Sequence, residues 1–537
     1  MSLVYNIEMI DELIKAPVPA SSAATTASGK ERRLVWSVPF LHGPVDMGLL
    51  LFLVLLLDVK LALKIPALVI ACLCQPRLEA LRRIPRFYWI IPALTLIGWL
   101  LARPGAPPHY DMVAGVALFT WLLCLCAAWQ VRVFADRETV AATLQLFFLL
   151  NALVSFAQLA AIAWGIRDVN PYLYQGQFQK YFVRTGDYIH GLSFDTSTLN
   201  ALINALGVIF FLNRKNGWMA LCCTACLLLT MSNFTNIILL AVLALVYLAR
   251  RDREVRGGII LCVLLGAVFL GKVSPQNLDY VNETFARWMR HDKTASGTAA
   301  GDAEDLRRTI IARRYLDSVR SLMFVKRSGT PLWTPKPEIP APDINTAPYQ
   351  SRPDTTDLQR AQIDFVTAHP MLRAAQPGLP DGGRIPGKLL ALDDILRYNR
   401  QHPGRIPFGA GPGNFSSRLA FRATGLGMDG SWPRKWTYIH PDFLRNHLDL
   451  YLAYFAKPKE NHSLVHSPDS VFAQMWGEYG LIGLIAFLAY LAYFARRANR
   501  RSWPLLLVMT SAFFVSYWFE QLSLVALFEL MFYTESV

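Results

Sequence analysis

Long apolar runs recur along this chain from residue 46 to its C-terminal end. A membrane-spanning helix needs about 20 predominantly apolar residues, because the hydrocarbon core of a bilayer is roughly 30 Å thick. Only 17% of the residues are charged, whereas a typical soluble protein carries about 25%. The pattern therefore predicts an all-α polytopic membrane protein in which most of the mass is embedded helix.

The apolar runs predict 11 or 12 transmembrane helices, since the first two and the last two runs are short or closely spaced. The predicted spans are 46–59, 61–75, 87–103, 112–131, 139–164, 191–212, 217–232, 233–249, 257–273, 470–495, 503–519 and 521–534.

Basic clusters occupy every second connection between these spans. They lie at 32–33, 77–86, 132–137, 214–215, 250–256 and 496–501. Cytoplasmic loops are the ones enriched in Lys and Arg, so this alternation places the N-terminus in the cytoplasm. It places 104–111, 165–190 and 274–469 on the opposite side, which is the periplasm if the membrane is a bacterial inner membrane.

Four regions follow from this layout. Residues 1–45 are predicted to be a cytoplasmic tail, and 46–273 the N-terminal transmembrane helices. Residues 274–469 form a large periplasmic loop, too long for a simple connector, that is expected to be mainly helical and loop-rich. Helices are expected at 300–323 and 387–400, and 325–400 includes a proline-rich stretch. The C-terminal transmembrane helices are 470–537.

The net charge of +14 is concentrated in the short basic clusters, so it argues for membrane orientation rather than for binding of nucleic acid. All eight cysteines lie in apolar runs, and the large loop has none to build a disulfide framework. Cys223 and Cys226 form a CxxC pair inside a predicted helix. We interpret them as small packing residues rather than as redox or metal groups.

The shorter outer loop and the span after it contain an arginine and a polar sequence. Arg184 precedes the stretch 191–200, where Asp195, Ser197 and Asn200 enter an apolar run. Polar groups inside a membrane are costly and usually face a cavity or a partner. The stretch either lines a cavity, or it caps a helix at Asp195 or Ser197 and forms hydrogen bonds between helices.

A second candidate lies near the start of the large loop. Arg307 and Arg308 fall on an expected helix, and Arg313 and Arg314 lie about a turn further along it. Arginine binds phosphate through paired hydrogen bonds and keeps its charge. These arginines are interpreted as a phosphate site or, alternatively, as a face toward solvent or lipid headgroups.

A third candidate is the glycine-rich loop, Phe408-Gly-Ala-Gly-Pro-Gly-Asn-Phe415. Its backbone N–H groups could cradle an anion. It lacks the Lys and Ser/Thr of a P-loop, and no strand is expected before it. A tight structural turn is therefore the favoured interpretation.

A fourth candidate is His466, where the large loop re-enters the membrane. A histidine suits general-base catalysis because it changes protonation state near neutral pH. An ordinary hydrogen-bonding histidine is an equally open interpretation. His462 and His466 have the i, i+4 spacing of metal ligands. No HExxH glutamate lies between them and no third ligand is evident, so no metal is expected.

These motifs resemble those of the O-antigen ligase and O-antigen polymerase superfamily of bacterial membrane glycosyltransferases. The resemblance rests on Phe408–Phe415, on His466-Ser467, and on Gly477-Glu478-Tyr479-Gly480, with the nine residues between Ser467 and Gly477 that the family's ligase signature has. It covers roughly 180–270 and 300–490. The family is similar in topology too, with a large periplasmic loop near its C-terminal end.

The chain departs from the family pattern in three places. Thr196-Ser197 stands where Pro-Asn is common, and Ser232-Asn233 stands where Ser-Arg is common. The stretch 325–400 looks like an insertion. These departures concern the subfamily more than the superfamily.

The resemblance implies roles for individual residues. The donor would be a glycan on undecaprenyl diphosphate, and the transfer would invert the anomeric carbon without metal or cofactor. Arg184 and Arg308 would hold the diphosphate, with Arg307 as a rival for the second position. His466 would be the catalytic base, and Glu478 an orienting group near it.

Two functions share this fold and site. The first hypothesis is a polymerase that joins lipid-linked repeat units into O-antigen, capsule or exopolysaccharide. The second is a ligase that moves the finished chain to lipid A–core or a protein. The partners would be the lipid-linked oligosaccharide donor, a glycan acceptor and other polysaccharide assembly proteins.

Two further functions belong to other classes. A glycolipid transporter or flippase would line its path with Asp195, Glu520 and Glu529, but the two halves show no inverted repeat. A structural scaffold would leave the signature around His466 unexplained.

Overall fold

The computed structural model describes residues 35–37, 43–57, 61–74, 78–134, 136–172, 185–193, 196–274, 387–425, 432–448, 450–451 and 467–536. Within these ranges the protein is mainly helical, with one two-stranded ribbon. The all-α class predicted from the apolar runs is therefore confirmed.

The N-terminal part of the described chain consists of the ribbon and ten helices. The strands β1 and β2 are Val35–Ser37 and Pro44–Asp46. The helices α1 to α10 are Met47–Leu57, Leu61–Cys74, Leu78–Leu81, Phe87–Ala102, Tyr110–Val133, Arg137–Ile166, Ser197–Asn213, Gly217–Leu229, Asn233–Ala249 and Arg253–Val268.

The described residues from 387 onward contribute seven more helices. These helices, α11 to α17, are Gly387–Gln401, Arg418–Ala423, Pro441–Asn446, Val471–Ala495, Trp503–Val515, Trp518–Gln521 and Ser523–Ser536. The first of them confirms the helix expected at 387–400, whereas the one expected at 300–323 lies outside the described residues.

Five helices of the described chain are long and apolar enough to cross a membrane, by length and composition. They are α5, α6 and α14, α4 together with the 3₁₀ turn that follows it to Gly105, and α10 together with the helical turn that follows it to Val273. Shorter apolar helices are α1, α2, α7, α8, α9 and α15. Together they fall on the apolar runs from 46 to 519, and α17 lies on the last run. The expectation of membrane-spanning helices is confirmed to this extent.

Two predicted boundaries need correction. The run 191–212 begins with a short 3₁₀ turn at Gly191–Ser193, and α7 starts only at Ser197. The cap of α7 is Thr196, whose Oγ1 accepts a backbone N–H at 3.2 Å, so the prediction of Ser197 as the cap was wrong. The run 503–519 is interrupted, because α15 ends at Val515 and the short α16 follows.

Part of the predicted tail is structured. The two strands pair antiparallel, with Val35 opposite Asp46. The backbone N–H of Asp46 donates to Thr143 Oγ1 of α6 at 2.9 Å, and its carboxylate accepts the N–H of Gly48 at 2.9 Å, at the start of α1. The end of the tail is thus anchored on the helical bundle, which the sequence of residues 1–45 did not indicate.

The basic loops meet at one end of the bundle. Arg214 forms an ion pair with Glu535 near the C-terminal end of α17, at 3.0 Å. Arg250 donates to the carbonyl oxygen of Arg500, and Arg132 lies against aromatic rings of α14 and α17. These residues belong to the loops after the fourth, sixth, eighth and tenth predicted spans. The alternating charge pattern requires that these loops share one side.

Aromatic side chains form the centre of the bundle. Phe87 of α4 lies 5.0 Å, between ring centroids, from both Tyr490 of α14 and Phe519 of α16. Trp121 of α5 is 5.5 Å from Phe519. Such large buried rings contribute much of the packing energy of a core, so they hold α4 and α5 against the helix that follows His466.

Candidate functional site

The helix α14 is interrupted in its middle. Gly480 has φ +69° and ψ −163°, which is outside the helical region and is accessible at low cost only to glycine. A break of this kind frees backbone N–H and C=O groups, and within a membrane these groups must find partners in the protein. Such interruptions within spanning helices are tolerated only where that condition is met.

The glycine-rich loop and the two residues before it supply those partners. The N–H groups of Ala410 and Gly411 donate to the carbonyl oxygens of Gly477 and Glu478 at 2.9 and 3.0 Å. On the other side of the break, the N–H of Leu481 donates to a carbonyl oxygen of the loop's approach, that of residue 406, at 2.8 Å. The loop therefore runs beside α14 and pairs with it through backbone hydrogen bonds on both sides of the break.

Glu478 holds the second half of the loop. Its side chain is buried, with 1% of its surface exposed. Oε2 accepts the N–H of Gly413 at 2.9 Å, and Oε1 accepts the N–H of Phe415 at 3.4 Å. The group to which these N–H donors of the loop are bonded is thus a carboxyl side chain of its own chain. The interpretation of the loop as a tight structural element agrees with this geometry.

The glycines of both motifs are required by the close approach of the two segments. Gly409 has φ +71°, and a Cβ there would lie 2.6 Å from backbone atoms of Glu478. A Cβ on Gly477 would lie 2.6 Å from the ring of Phe415. Real Cβ atoms do not approach other atoms so closely. Each motif therefore needs glycine where the other motif packs against it.

A buried chain of hydrogen bonds begins where the loop ends. Ser416 Oγ lies 3.0 Å from His447 Nε2 and 3.0 Å from Tyr517 OH. Tyr517 OH is 2.7 Å from Tyr451 OH, which donates to Asp469 Oδ1 at 2.6 Å. Linked groups of this kind polarise one another and can hold or pass a proton. The chain connects the loop with the residues that follow His466.

His447 is fully buried at one end of this chain. Burial lowers the pKa of its imidazole to about 3, because the charged form loses its hydration. The ring is therefore neutral at physiological pH. Its Nδ1 has no hydrogen-bond partner among the described residues, which is uncommon for a buried polar atom.

A buried lysine lies at the other end of the chain. The ammonium of Lys388, in the first turn of α11, donates to the carbonyl oxygens of Ser467 and Asp469 at 2.9 and 2.7 Å. It also donates to that of Val515 at 3.2 Å. The first residues after His466 are thus tied to both α11 and α15.

A separate polar cluster holds the segment after Arg184. Asn200 of α7 donates to the carbonyl oxygen of Ile189 at 3.0 Å. Its amide oxygen accepts from Asn151 of α6 at 3.0 Å, and the Asn151 oxygen accepts the N–H of Leu192 at 2.9 Å. The polar residues of this span therefore form hydrogen bonds between helices, as one of the two interpretations predicted, and anchor the segment 185–193.

The segment 185–193 also contacts the sequence 230–233, which was compared with a family motif above. Gly186 packs so closely on Thr230 that a Cβ would lie 2.6 Å from the Thr230 carbonyl oxygen. Thr230 begins the sequence in which Asn233 replaces the arginine common in the family. The structure thus brings Gly186, two positions after Arg184 in the sequence, to this motif.

Most predicted site residues lie outside the described residues: Arg184, Arg307, Arg308 and His466. Their predicted roles stay predictions. Glu478 is described, and its carboxylate binds the backbone of the glycine-rich loop. Whether it also orients a reacting group stays a prediction.

Two acids that the transporter hypothesis would place along its path form hydrogen bonds within the protein. Glu529 accepts hydrogen bonds from the hydroxyls of Tyr88 and Tyr490 at 2.6 and 2.8 Å. Glu520 accepts the N–H of Leu419 at 3.0 Å, at the start of α12. Asp195 lies outside the described residues. Among the residues that the structure describes, no group of three or more His, Cys, Asp or Glu side chains could hold a metal ion.

No protein-family model matches this chain, and no curated protein sequence matches it. The resemblance to the O-antigen ligase and polymerase superfamily therefore rests on the motifs themselves.

Sequence reasoning missed Lys388, His447, Ser416, Tyr451 and Tyr517. Lysine and histidine are normally exposed or half-exposed, and nothing in the sequence around them indicates that they are buried. Only Ser416 had a signal in the sequence, because it directly follows the glycine-rich loop.

Proposed function

We propose that this protein is a glycosyltransferase of the bacterial inner membrane. It polymerises undecaprenyl-diphosphate-linked oligosaccharide units into O-antigen, capsule or exopolysaccharide on the periplasmic side. One observation carries the proposal: two motifs of the family resemblance form a single unit. The loop and its approach, 406–415, are joined to Gly477–Ile482 by six hydrogen bonds, two of them to the Glu478 carboxylate.

The proposed topology has 11 or 12 spans, a cytoplasmic N-terminus and a periplasmic loop at 274–469. It is supported by the alternation of basic loops and by the contacts that gather four of these loops at one end of the bundle. The opposite end would then carry the segment 185–193 and the region where α14 begins after His466.

The proposed reaction is a single displacement at the anomeric carbon of the donor. The acceptor hydroxyl oxygen forms a bond to the anomeric carbon while the bond between that carbon and the diphosphate oxygen breaks. The electron pair leaves with undecaprenyl diphosphate, and the hydroxyl proton passes to His466 as general base. Arg184 and Arg308, with Arg307 as a rival, stabilise the charge that develops on the diphosphate.

This chemistry needs no cofactor, since the diphosphate leaving group supplies the driving force. The described residues contribute a rigid frame: the loop and the broken helix lock each other, and the buried hydrogen-bond chain extends from them to Asp469. Catalytic groups perform best when a packed support holds them in place.

The test is glycan analysis of a deletion strain complemented with wild type, His466→Ala or Arg184→Ala. His402→Ala and Arg167→Ala are matched controls, because these side chains are exposed. Membrane insertion and expression are measured for each variant. A polymerase predicts that long glycan disappears and single lipid-linked units accumulate on the outer side, while both controls behave as wild type.

Other results would change the assignment. Full-length chains that accumulate on the carrier would identify a ligase. Lipid-linked units that accumulate on the cytoplasmic side would identify a transporter. If both site variants restore wild-type glycan, the assignment of His466 and Arg184 is wrong.

A further inference from the structure

Lys388 is buried to a degree that is rare for lysine. Only 1% of its surface is exposed, and lysine is almost never fully buried unless it is paired. No carboxylate forms an ion pair with it among the described residues. Its ammonium instead donates to three backbone carbonyl oxygens, so the partner of this charge is the backbone of other segments.

The number of acceptors matches the protonated side chain. An ammonium has three N–H donors and no acceptor, whereas a neutral amine has two donors and a lone pair. The three acceptors are the carbonyl oxygens of Ser467, Asp469 and Val515, at 2.7 to 3.2 Å. Protonated Lys388 therefore joins the start of α11, the end of α15 and the segment before α14.

This segment comes directly after His466. Ser470 caps α14 by accepting the N–H of Phe472 at 3.2 Å, so residues 467–469 are the whole link between His466 and the helix cap. The link is also held from its other side, because the Asp469 carboxylate accepts from Tyr451 OH at 2.6 Å. Its backbone has few ways to move while both sets of bonds persist.

We propose that Lys388 is a positioning residue of the transferase site. By holding the carbonyl groups of Ser467 and Asp469, it fixes the backbone of the link 467–469, which is joined in sequence directly to the proposed general base, His466. This inference rests on the proposed function. It adds to that function a determinant of catalytic rate, Lys388, which lies 79 positions before Ser467 in the chain. Lys388 itself does not touch the reacting atoms.

The protonation of Lys388 gives the proposal a distinctive readout. Burial lowers the pKa of its ammonium to about 7, and the charge of Asp469 opposes this effect. Among the described residues, the other groups facing this region are the ring of Phe514, 6.0 Å from Nζ, and the hydroxyls of Tyr451 and Tyr517 that are linked to Asp469. As the pH rises through about 7, one of the three carbonyl groups loses its donor. The rate should therefore fall on the alkaline side.

The experiment measures kcat and KM of the full-length protein in liposomes, with an undecaprenyl-diphosphate oligosaccharide as substrate, between pH 6 and 9. The variants are Lys388→Met and Lys388→Arg. The matched control is Lys215→Met, because Lys215 pairs with acids of the basic loop at the other end of the bundle.

Lys388→Met should lower kcat by a factor of about 10 to 100, because a misplaced general base loses much of its effect. KM for the donor should change far less, since the diphosphate-binding arginines are elsewhere in the sequence. The alkaline fall of the wild type should disappear in Lys388→Met. It should move to higher pH in Lys388→Arg, whose guanidinium keeps its charge.

Amide hydrogen exchange of residues 467–471 gives a second measurement that does not depend on activity. In the wild type, exchange corrected for its intrinsic pH dependence should accelerate above pH 7 in this segment. If Lys388→Met does not fold, this wild-type profile and the Lys388→Arg rates decide the matter.

The two proposals fail in different ways. A wild-type protein that transfers no glycan overturns the proposed function. An active wild type with unchanged kcat in Lys388→Met overturns the positioning role alone. So does a wild-type exchange profile at residues 467–471 that shows no change near pH 7.

Discussion

Replacing Glu478 by alanine tests how the two halves of the site are joined. The side chain is fully buried, and its carboxylate accepts the N–H groups of Gly413 and Phe415. Alanine would leave both donors buried without an acceptor. Each such donor costs about 1–3 kcal/mol, so Glu478→Ala should reduce the free energy of unfolding by about 2–6 kcal/mol. This is a large share of the roughly 5–15 kcal/mol that stabilises a typical protein.

The free energy of unfolding of Glu478→Gln should lie between those of Glu478→Ala and the wild type. The amide oxygen can accept one of the two N–H groups, but the amide nitrogen faces the other donor. Only one donor is then left unsatisfied, and the expected loss is about 1–3 kcal/mol. The order wild type, glutamine, alanine follows from the count of acceptors alone.

The assay is unfolding of the purified protein in detergent, followed by circular dichroism, with hydrogen exchange of the amides in 408–415. Glu254→Ala is the matched control, because Glu254 pairs with Lys215 on an exposed surface, where such pairs contribute little. Glu478→Ala should unfold well before this control and should exchange faster at Gly413 and Phe415.

A different result would refute the reasoning. If Glu478→Ala unfolds together with Glu254→Ala and the loop amides keep their protection, the carboxylate does not hold the loop. If the loop stays protected and glycan transfer is nevertheless lost, Glu478 acts on the reaction directly rather than through the loop.

Three further predictions concern neighbouring features. Gly409→Ala should cost about 2 kcal/mol or more, since φ is +71° there and a Cβ would lie 2.6 Å from backbone of α14; Gly404→Ala, with open space around it, should leave the melting temperature near that of the wild type. Asn200→Leu should loosen the segment 185–193 by removing its bond to a loop carbonyl, and limited proteolysis from the outer side should then cleave there faster. His447, with its pKa lowered from 6.5 to about 3, should make the wild type lose about 1.4 kcal/mol per pH unit as the pH falls from 6.5 to 3, because only the unfolded chain takes up the proton in that window. Unfolding titrations of His447→Gln should lack this slope; an unchanged slope would exclude a buried neutral imidazole.

The apolar runs predicted the helices well because a membrane leaves the backbone little choice. Within hydrocarbon every N–H and C=O group needs an internal partner, and a helix provides one locally. The boundaries were less accurate. The run 191–212 continued into the 3₁₀ turn before α7, since hydrophobicity alone does not show where Thr196 accepts the capping bond.

The site was predictable only in outline. The motifs at 408–415 and 477–480 were recognised separately, each from its glycines. That they bind each other could not be read from either one, because the six joining hydrogen bonds connect residues more than sixty positions apart. The sequence left the partner of the loop's N–H groups open between an external anion and a structural turn.

By itself, the sequence determined the class of the protein and the alternation of basic loops, because these depend on local composition and on helical periodicity. It also singled out Gly480 as part of a motif, but it did not predict the break in α14 that this glycine permits. Only the tertiary structure decided what fills that break, and that Lys388 and His447 are buried. Burial depends on which distant segments pack around a side chain, and for Lys388 those segments are the link before α14 and the end of α15, both of which follow it in the chain.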